Sequence, residues 1–112
     1  MAKGPVRLVL TMTVRSEDAV LFEAAWARAA DWTGKRPGCL RQTLVLSPSR
    51  PSGTARPREV TYQLISDWAD AKRFHAFERS REGADATAGL RMLRTSVRTE
   101  VWQIRDHQEA GP

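Results

Sequence analysis

The sequence predicts an α+β domain of order β-α-β-β-α-β, a ferredoxin-like fold with a four-stranded antiparallel sheet. Four segments show the alternation of half-buried strands, and two segments with helical periodicity separate the first from the second and the third from the fourth. Two such split strand-helix-strand halves close into one sheet with both helices on the same face. A length of 112 residues, 41% hydrophobic and 28% charged, suits one domain with its own core. A single domain is expected over residues 5–106, followed by a disordered tail at 107–112.

The first strand is "VRLVLTMTVR", with Val6, Leu8, Leu10, Met12 and Val14 on one side and Arg7, Thr11, Thr13 and Arg15 mainly on the other. Ser16 is placed to cap a helix running to Ala30 or Trp32, with Glu17 and Asp18 suited to its positive end. The apolar stripe of that helix is Phe22, Trp26, Ala29 and Ala30, flanked by Leu21, Ala25 and Trp32. Gly34 stops the helix, and Pro37-Gly38 turns the chain.

"CLRQTLVLS" reads as the second strand, with Leu40, Leu44 and Leu46 inward and Gln42 among them. The connection from Ser47 to Arg58 is rich in Pro, Ser and Gly, and is expected to be the most mobile internal segment. "EVTYQLISDW" follows as the third strand, carrying Val60, Tyr62, Leu64 and Trp68 on one face. Ser66 or Asp67 would cap a second helix through about Ser80, and "DATAGLRMLR" adds a turn or two after Gly83. "SVRTEVWQI" closes the sheet as the fourth strand. The opposite face then bears Val9, Thr11, Thr13, Thr43, Val45, Thr61, Gln63, Ile65 and Glu100. That mixture is too apolar to be left bare, so a homodimer through the sheet face is expected.

Several function classes are disfavoured. The net charge of +5 is spread over scattered arginines, without the clustered basic stripe and exposed aromatics of a nucleic-acid binder. The apolar runs are too short to span a bilayer, and "MAKGPVR" lacks the apolar core of a signal peptide, so no membrane contact and a cytoplasmic location are expected. Cys39 is the single cysteine, and with only His75 and His107 it forms no metal-ligand pattern. There is no glycine-rich phosphate loop either, so no metal and no cofactor are expected.

"KRPGCLRQTLVL" and "YQLISDWADAKRFHAF" together resemble the antibiotic biosynthesis monooxygenase family of dimeric α/β-barrel proteins. The resemblance rests on the Pro37-Gly38 turn, then on Trp68 ending a strand before Asp70, Ala71, Phe74 and His75, and in element order it covers about residues 6 to 104. It implies a dimeric α/β barrel. Family members include cofactor-independent oxygenases that oxidise aromatic polyketides to quinones, haem-degrading enzymes and small-molecule tailoring proteins. The quinone-forming group resembled here uses an asparagine four residues before its tryptophan, where this chain has Leu64; the chain contains no asparagine. Phe74 also lacks the phenol that the group carries on its helix.

The function implied is a small tailoring enzyme of aromatic polyketide or antibiotic biosynthesis, a cofactor-independent monooxygenase oxidising a polycyclic phenol. His75 is the candidate base, because imidazole moves protons near neutral pH. Gln63 and Arg91 are the candidate anion partners, with Arg94 nearby. Trp68, Tyr62, Trp26 and Phe74 are the candidate aromatic walls. Each has a plainer alternative: Trp68 as a core anchor, His75 as an exposed neighbour of Glu78 and Arg79, Arg91 as a solvated surface group. Two other functions stay open, a non-oxidative polyketide cyclase of the same fold and a non-catalytic ligand-binding or scaffold dimer.

Overall fold

The structure, a computed structural model, describes residues 4–48 and 58–111. The alternation of the first segment is realised in β1 (Val6–Arg15), which lies inside a four-stranded sheet of order β2-β3-β1-β4. The other strands are β2 (Cys39–Leu46), β3 (Glu59–Trp68) and β4 (Arg94–Gln103). β1 pairs antiparallel with β3 from Val6 opposite Trp68 to Arg15 opposite Glu59, and with β4 on its other side. β2 and β4 are therefore the edges. The ferredoxin-like order is the one predicted.

One face of the central strands is dry. Val6, Leu8, Met12, Val14, Tyr62, Leu64 and Trp68 are all buried there. Against it packs α1 (Ala19–Thr33), entered through a 3-10 turn at Ser16–Asp18. Its buried positions are Phe22, Ala25, Ala29 and Thr33, a stripe rotated from the expected one. Trp26 and Ala30 fall at its margin, and Leu21 is 59% exposed. Small residues at 25 and 29 let the helix layer close tightly: a Cβ at Gly89 would already stand 3.3 Å from that of Ala25.

Leu40 departs from expectation too. The β2–β3 register shifts between Cys39 and Arg41, which takes Leu40 out of the alternation and leaves it 61% exposed. Leu46 keeps its inward register opposite Tyr62, yet it sits on an uncovered edge strand and is 51% exposed.

The second helical region is three short pieces, α2 (Ala71–Arg79), α3 (Arg81–Ala86) and α4 (Ala88–Leu93). The cap of α2 is Asp70, which accepts the backbone N–H of Arg73 at 2.8 Å and its guanidinium at 2.7 Å. Ser66 and Asp67 remain in the strand, held by other work. Ser66 accepts the indole N–H of Trp68 at 3.0 Å, while Asp67 accepts two bonds from Arg7 at 2.7 and 3.0 Å. Ser80 then caps α3, accepting from Gly83 at 2.9 Å. Gly83 lies within α3, because a Cβ there would meet the Phe77 carbonyl and the Ser80 hydroxyl at 2.7 Å.

The opposite face carries the residues expected of it. Val9 lies between Ile65 and Glu100, and Thr11 between Gln63 and Arg98. Trp102, beside Arg7 on that face, is 57% exposed in the single chain. The connection expected to be mobile falls largely at residues 49–57, outside the described residues. Its two ends are anchored, Ser47 donating to the Thr61 carbonyl at 2.8 Å and Arg58 accepting from Ser16 at 2.9 Å. Among the described residues no helix is long and apolar enough to cross a membrane.

Trp68 is fully buried and packs with Val6, Leu8 and Phe74. Trp68→Ala should cost about 3–5 kcal/mol in urea unfolding, because its neighbours cannot fill the void. Trp68→Phe keeps an aromatic anchor and should unfold as one cooperative unit with a smaller loss. Equal stability of the alanine variant and the parent would contradict this packing.

Candidate active site

The helices do not seal the sheet completely. A cavity of two lobes remains between the inner faces of β1 and β3 and the helical layer. The smaller lobe, about 70 Å³, is bounded by Trp26, Ala29, Thr33 and Gln42. The larger, about 240 Å³, is bounded by Met12, Phe74, Glu78, Arg91, Arg94 and Thr99. Leu8, Leu10, Phe77, Thr87 and Leu90 belong to both walls, so the lobes are neighbours across a shared partition.

The lining is apolar with a charged rim. Arg91 is held by two donated bonds, to the Thr87 hydroxyl and to the Ala84 carbonyl, each at 2.7 Å. Those contacts fix the guanidinium without neutralising it, which suits it to meet an anion. Glu78 stands on the same rim, 3.6 Å from Nδ1 of His75. On the smaller lobe, Gln42 donates to the Ala30 carbonyl at 2.8 Å and is thereby oriented by α1.

Trp26, Phe74 and Arg91 line this cavity. Trp68 lies behind its wall, with ring centroids 6.2 Å from Phe74 and 5.0 Å from Phe77. Tyr62 is buried and stacked on Phe22 at 4.8 Å, and its hydroxyl donates to Glu23 at 2.6 Å. Burial first, and then the Glu23 carboxylate, push its phenol well above the ordinary tyrosine range. It is thus a neutral, committed donor.

Gln63 stands on the other face of the sheet, opposite Thr11 and Val45. The strand period of two puts it on the side away from Tyr62 and Leu64, so it cannot reach the cavity. His75 is half exposed and tilts against Phe74 at 5.1 Å. Its ring does not line either lobe; its link to the cavity runs through Glu78. Burial raises the Cys39 thiol pKa, which disfavours a thiolate.

Glu78, Phe77, Thr87 and Leu90 were not singled out by sequence reasoning. For the first two a signal exists: Glu78 follows Phe74 by four residues and so shares its helix side, and Phe77 follows it by three. Thr87 and Leu90 have no such signal, since the breaks between α2, α3 and α4 aim them. Among the described residues no cluster of three or more His, Cys, Asp or Glu side chains could hold a metal ion.

A family model for antibiotic biosynthesis monooxygenases matches residues 5–88. The chain belongs to that family. An alanine variant of SnoaB, a cofactor-independent oxygenase from Streptomyces nogalater, superposes with a TM-score of 0.71 at 24% identity, covering 92% of this chain and 95% of that one. A candidate antibiotic biosynthesis monooxygenase from Nitrosomonas europaea gives 0.75 at 10% identity, covering 94% of each chain. Another, from Caulobacter crescentus, gives 0.72 at 19% identity over 93% of this chain and 92% of that one. No curated protein matches the chain. At these identities the solved structures establish the shared fold, and the monooxygenase family comes from the family match.

The Tyr62 phenol gives this family member a distinctive alkaline behaviour. Its folded pKa is raised, so its stabilising effect is complete below the ordinary value of 10.0 and is lost as pH climbs above it. Unfolding free energy should therefore fall more steeply between about pH 9 and about pH 11 in the parent than in Tyr62→Phe. Parallel slopes in urea titrations would remove Tyr62 as the source.

Proposed function

We propose that this protein is a dimeric tailoring enzyme of aromatic polyketide or antibiotic biosynthesis, acting in the cytoplasm as a cofactor-independent monooxygenase on a polycyclic phenol. The supporting observation is the apolar cavity whose rim carries both the fixed, unneutralised Arg91 and the carboxylate of Glu78. Phe74, Phe77 and Trp26 form flat walls suited to a fused-ring substrate.

Glu78 takes a proton from the substrate's phenol or activated methylene, and His75 behind it passes that proton to solvent. Arg91 pairs with the anion so formed. The anion gives one electron to dioxygen, and the resulting radical pair joins in a new carbon–oxygen bond. The peroxide takes up a proton, and loss of the remaining hydrogen on that carbon breaks the oxygen–oxygen bond. One oxygen atom stays as a ring carbonyl and the other leaves as water, so the methylene supplies all four electrons that reduce dioxygen. The apolar lining limits the water that could quench the anion early.

A homodimer through the sheet face fits this reading. Val9, Val45, Ile65 and Trp102 lie on that face, and the buried hydroxyl of Thr11 has no hydrogen-bond partner among the described residues. A facing subunit would cover the apolar groups. Ile65→Glu should shift the protein to monomer in sedimentation by burying an unpaired charge at the contact. A parent protein that sediments as a monomer at micromolar concentration would end the dimer proposal.

A cyclase is the second reading, favoured by the lack of any asparagine in the chain. The same anion could close a ring by aldol addition, with Arg91 holding the enolate. Oxygen uptake with anthrone-like phenols separates the two. As an oxygenase, the protein should consume dioxygen in step with product. Arg91→Gln should lower kcat/KM by about 10²–10³-fold and Glu78→Gln by about 10²–10⁴-fold with the fold intact. Turnover that needs no oxygen would favour the cyclase. Variants as active as the parent would dismiss this site.

A further inference from the structure

A second concavity lies on the outer side of α2. It is a groove of about 330 Å³ between the end of α1 and α2, walled by Trp32, Arg36, Pro37, Arg73, Phe77 and Glu82 among others. The guanidinium carbon of Arg36 sits 4.2 Å from the centroid of the Trp32 ring. Its Nε is shielded from solvent and lacks a hydrogen-bond partner, and its guanidinium forms no ion pair among the described residues. Arg73, on the same wall, is already closed by Asp70 at 2.7 Å. The groove therefore presents one uncommitted cation against flat apolar surfaces.

Phe77 links this groove to the interior. Its side chain lines the groove and both lobes of the cavity, and its ring lies between those of Trp32, at 5.9 Å, and Trp68, at 5.0 Å. One aromatic ring thus separates the surface groove from the inner cavity.

We propose that the groove is a second binding site, for a planar aromatic carboxylate whose ring rests against Trp32 and Phe77 and whose carboxylate takes donors of Arg36. The apolar walls select a flat hydrophobic body. A guanidinium fork matches two carboxylate oxygens side by side, and a stacked guanidinium keeps its charge with little reorganisation. A doubly charged phosphate fits less well, because one free cation leaves it half neutralised and Glu82 repels the remainder. The site needs no catalysis in the inner cavity, so it stands or falls separately from the oxygenase reading.

The test is a titration of the ¹⁵N-labelled protein with 2-naphthoate and with its neutral counterpart 2-naphthylmethanol, followed by NMR and calorimetry. Naphthoate should move the amides of residues 34–36, 38 and 76–82. Arg36→Gln should weaken naphthoate binding at least about tenfold while changing the alcohol less than about twofold. Trp32→Leu should weaken both ligands, and circular dichroism should show each variant folded. Naphthoate binding that is absent, indifferent to Arg36→Gln, or confined to amides of Leu8, Met12 and Thr99 would overturn the proposal. None of these readings depends on turnover, so a failed oxygen assay leaves the result interpretable.

Discussion

The contact between Trp68 and the aromatic rings of α2 governs the rest of the structure. Trp68 ends β3 with no exposed surface, and only Ala69 and Asp70 separate it from the first residue of α2. With so short a tether, burying the indole against Phe74 and Phe77 fixes where the helix starts, and the Asp70 cap fixes its direction. α2 then delivers Phe74, Phe77 and Glu78 to the cavity and turns Arg73 and Ala76 to the outer groove. A packing event in the core therefore decides which chemistry each surface can offer.

Much of the architecture was legible because strand alternation is a local property. β1 and β3 declare their buried faces residue by residue, and the outward position of Gln63 followed from the same period that buried Tyr62. Leu40 was not legible, since a register shift obeys pairing with β3 rather than the pattern of its own strand. The helix cap was ambiguous for a related reason. Ser66, Asp67 and Asp70 have similar capping chemistry, and the choice among them is made by the Trp68 indole and by Arg7, sixty positions from Asp67. Helical spacing does tell Glu78, four residues after Phe74 and on its side of the helix, from His75, one residue after it. Successive residues differ by about 100° around the axis, enough to move a side chain from cavity rim to solvent.

The cavity's polar groups share a pattern of outside support. Arg91 is oriented by Thr87 and Ala84, and Gln42 by the Ala30 carbonyl. Each side chain has its position set before any ligand arrives, which lowers the ordering cost of meeting one. The chain carries no asparagine, and under the proposed function Arg91 would meet the substrate anion.

The turn at Gly38 binds the histories of two distant positions together. Its backbone is left-handed, with φ of +87°, and a Cβ there would strike the Arg73 stem at 2.4 Å from Cδ and 2.8 Å from Cβ. The second collision involves the first side-chain carbon of residue 73, which only glycine omits. Shortening Arg73 to alanine would clear the outer stem and still leave that clash, so a side chain at position 38 would need glycine at 73 as well while the turn and α2 keep their spacing. A lineage that exchanged Gly38 while keeping a side chain at 73 would have to reset the angle at which α2 leaves the sheet, and with it the separation between the cavity and the groove.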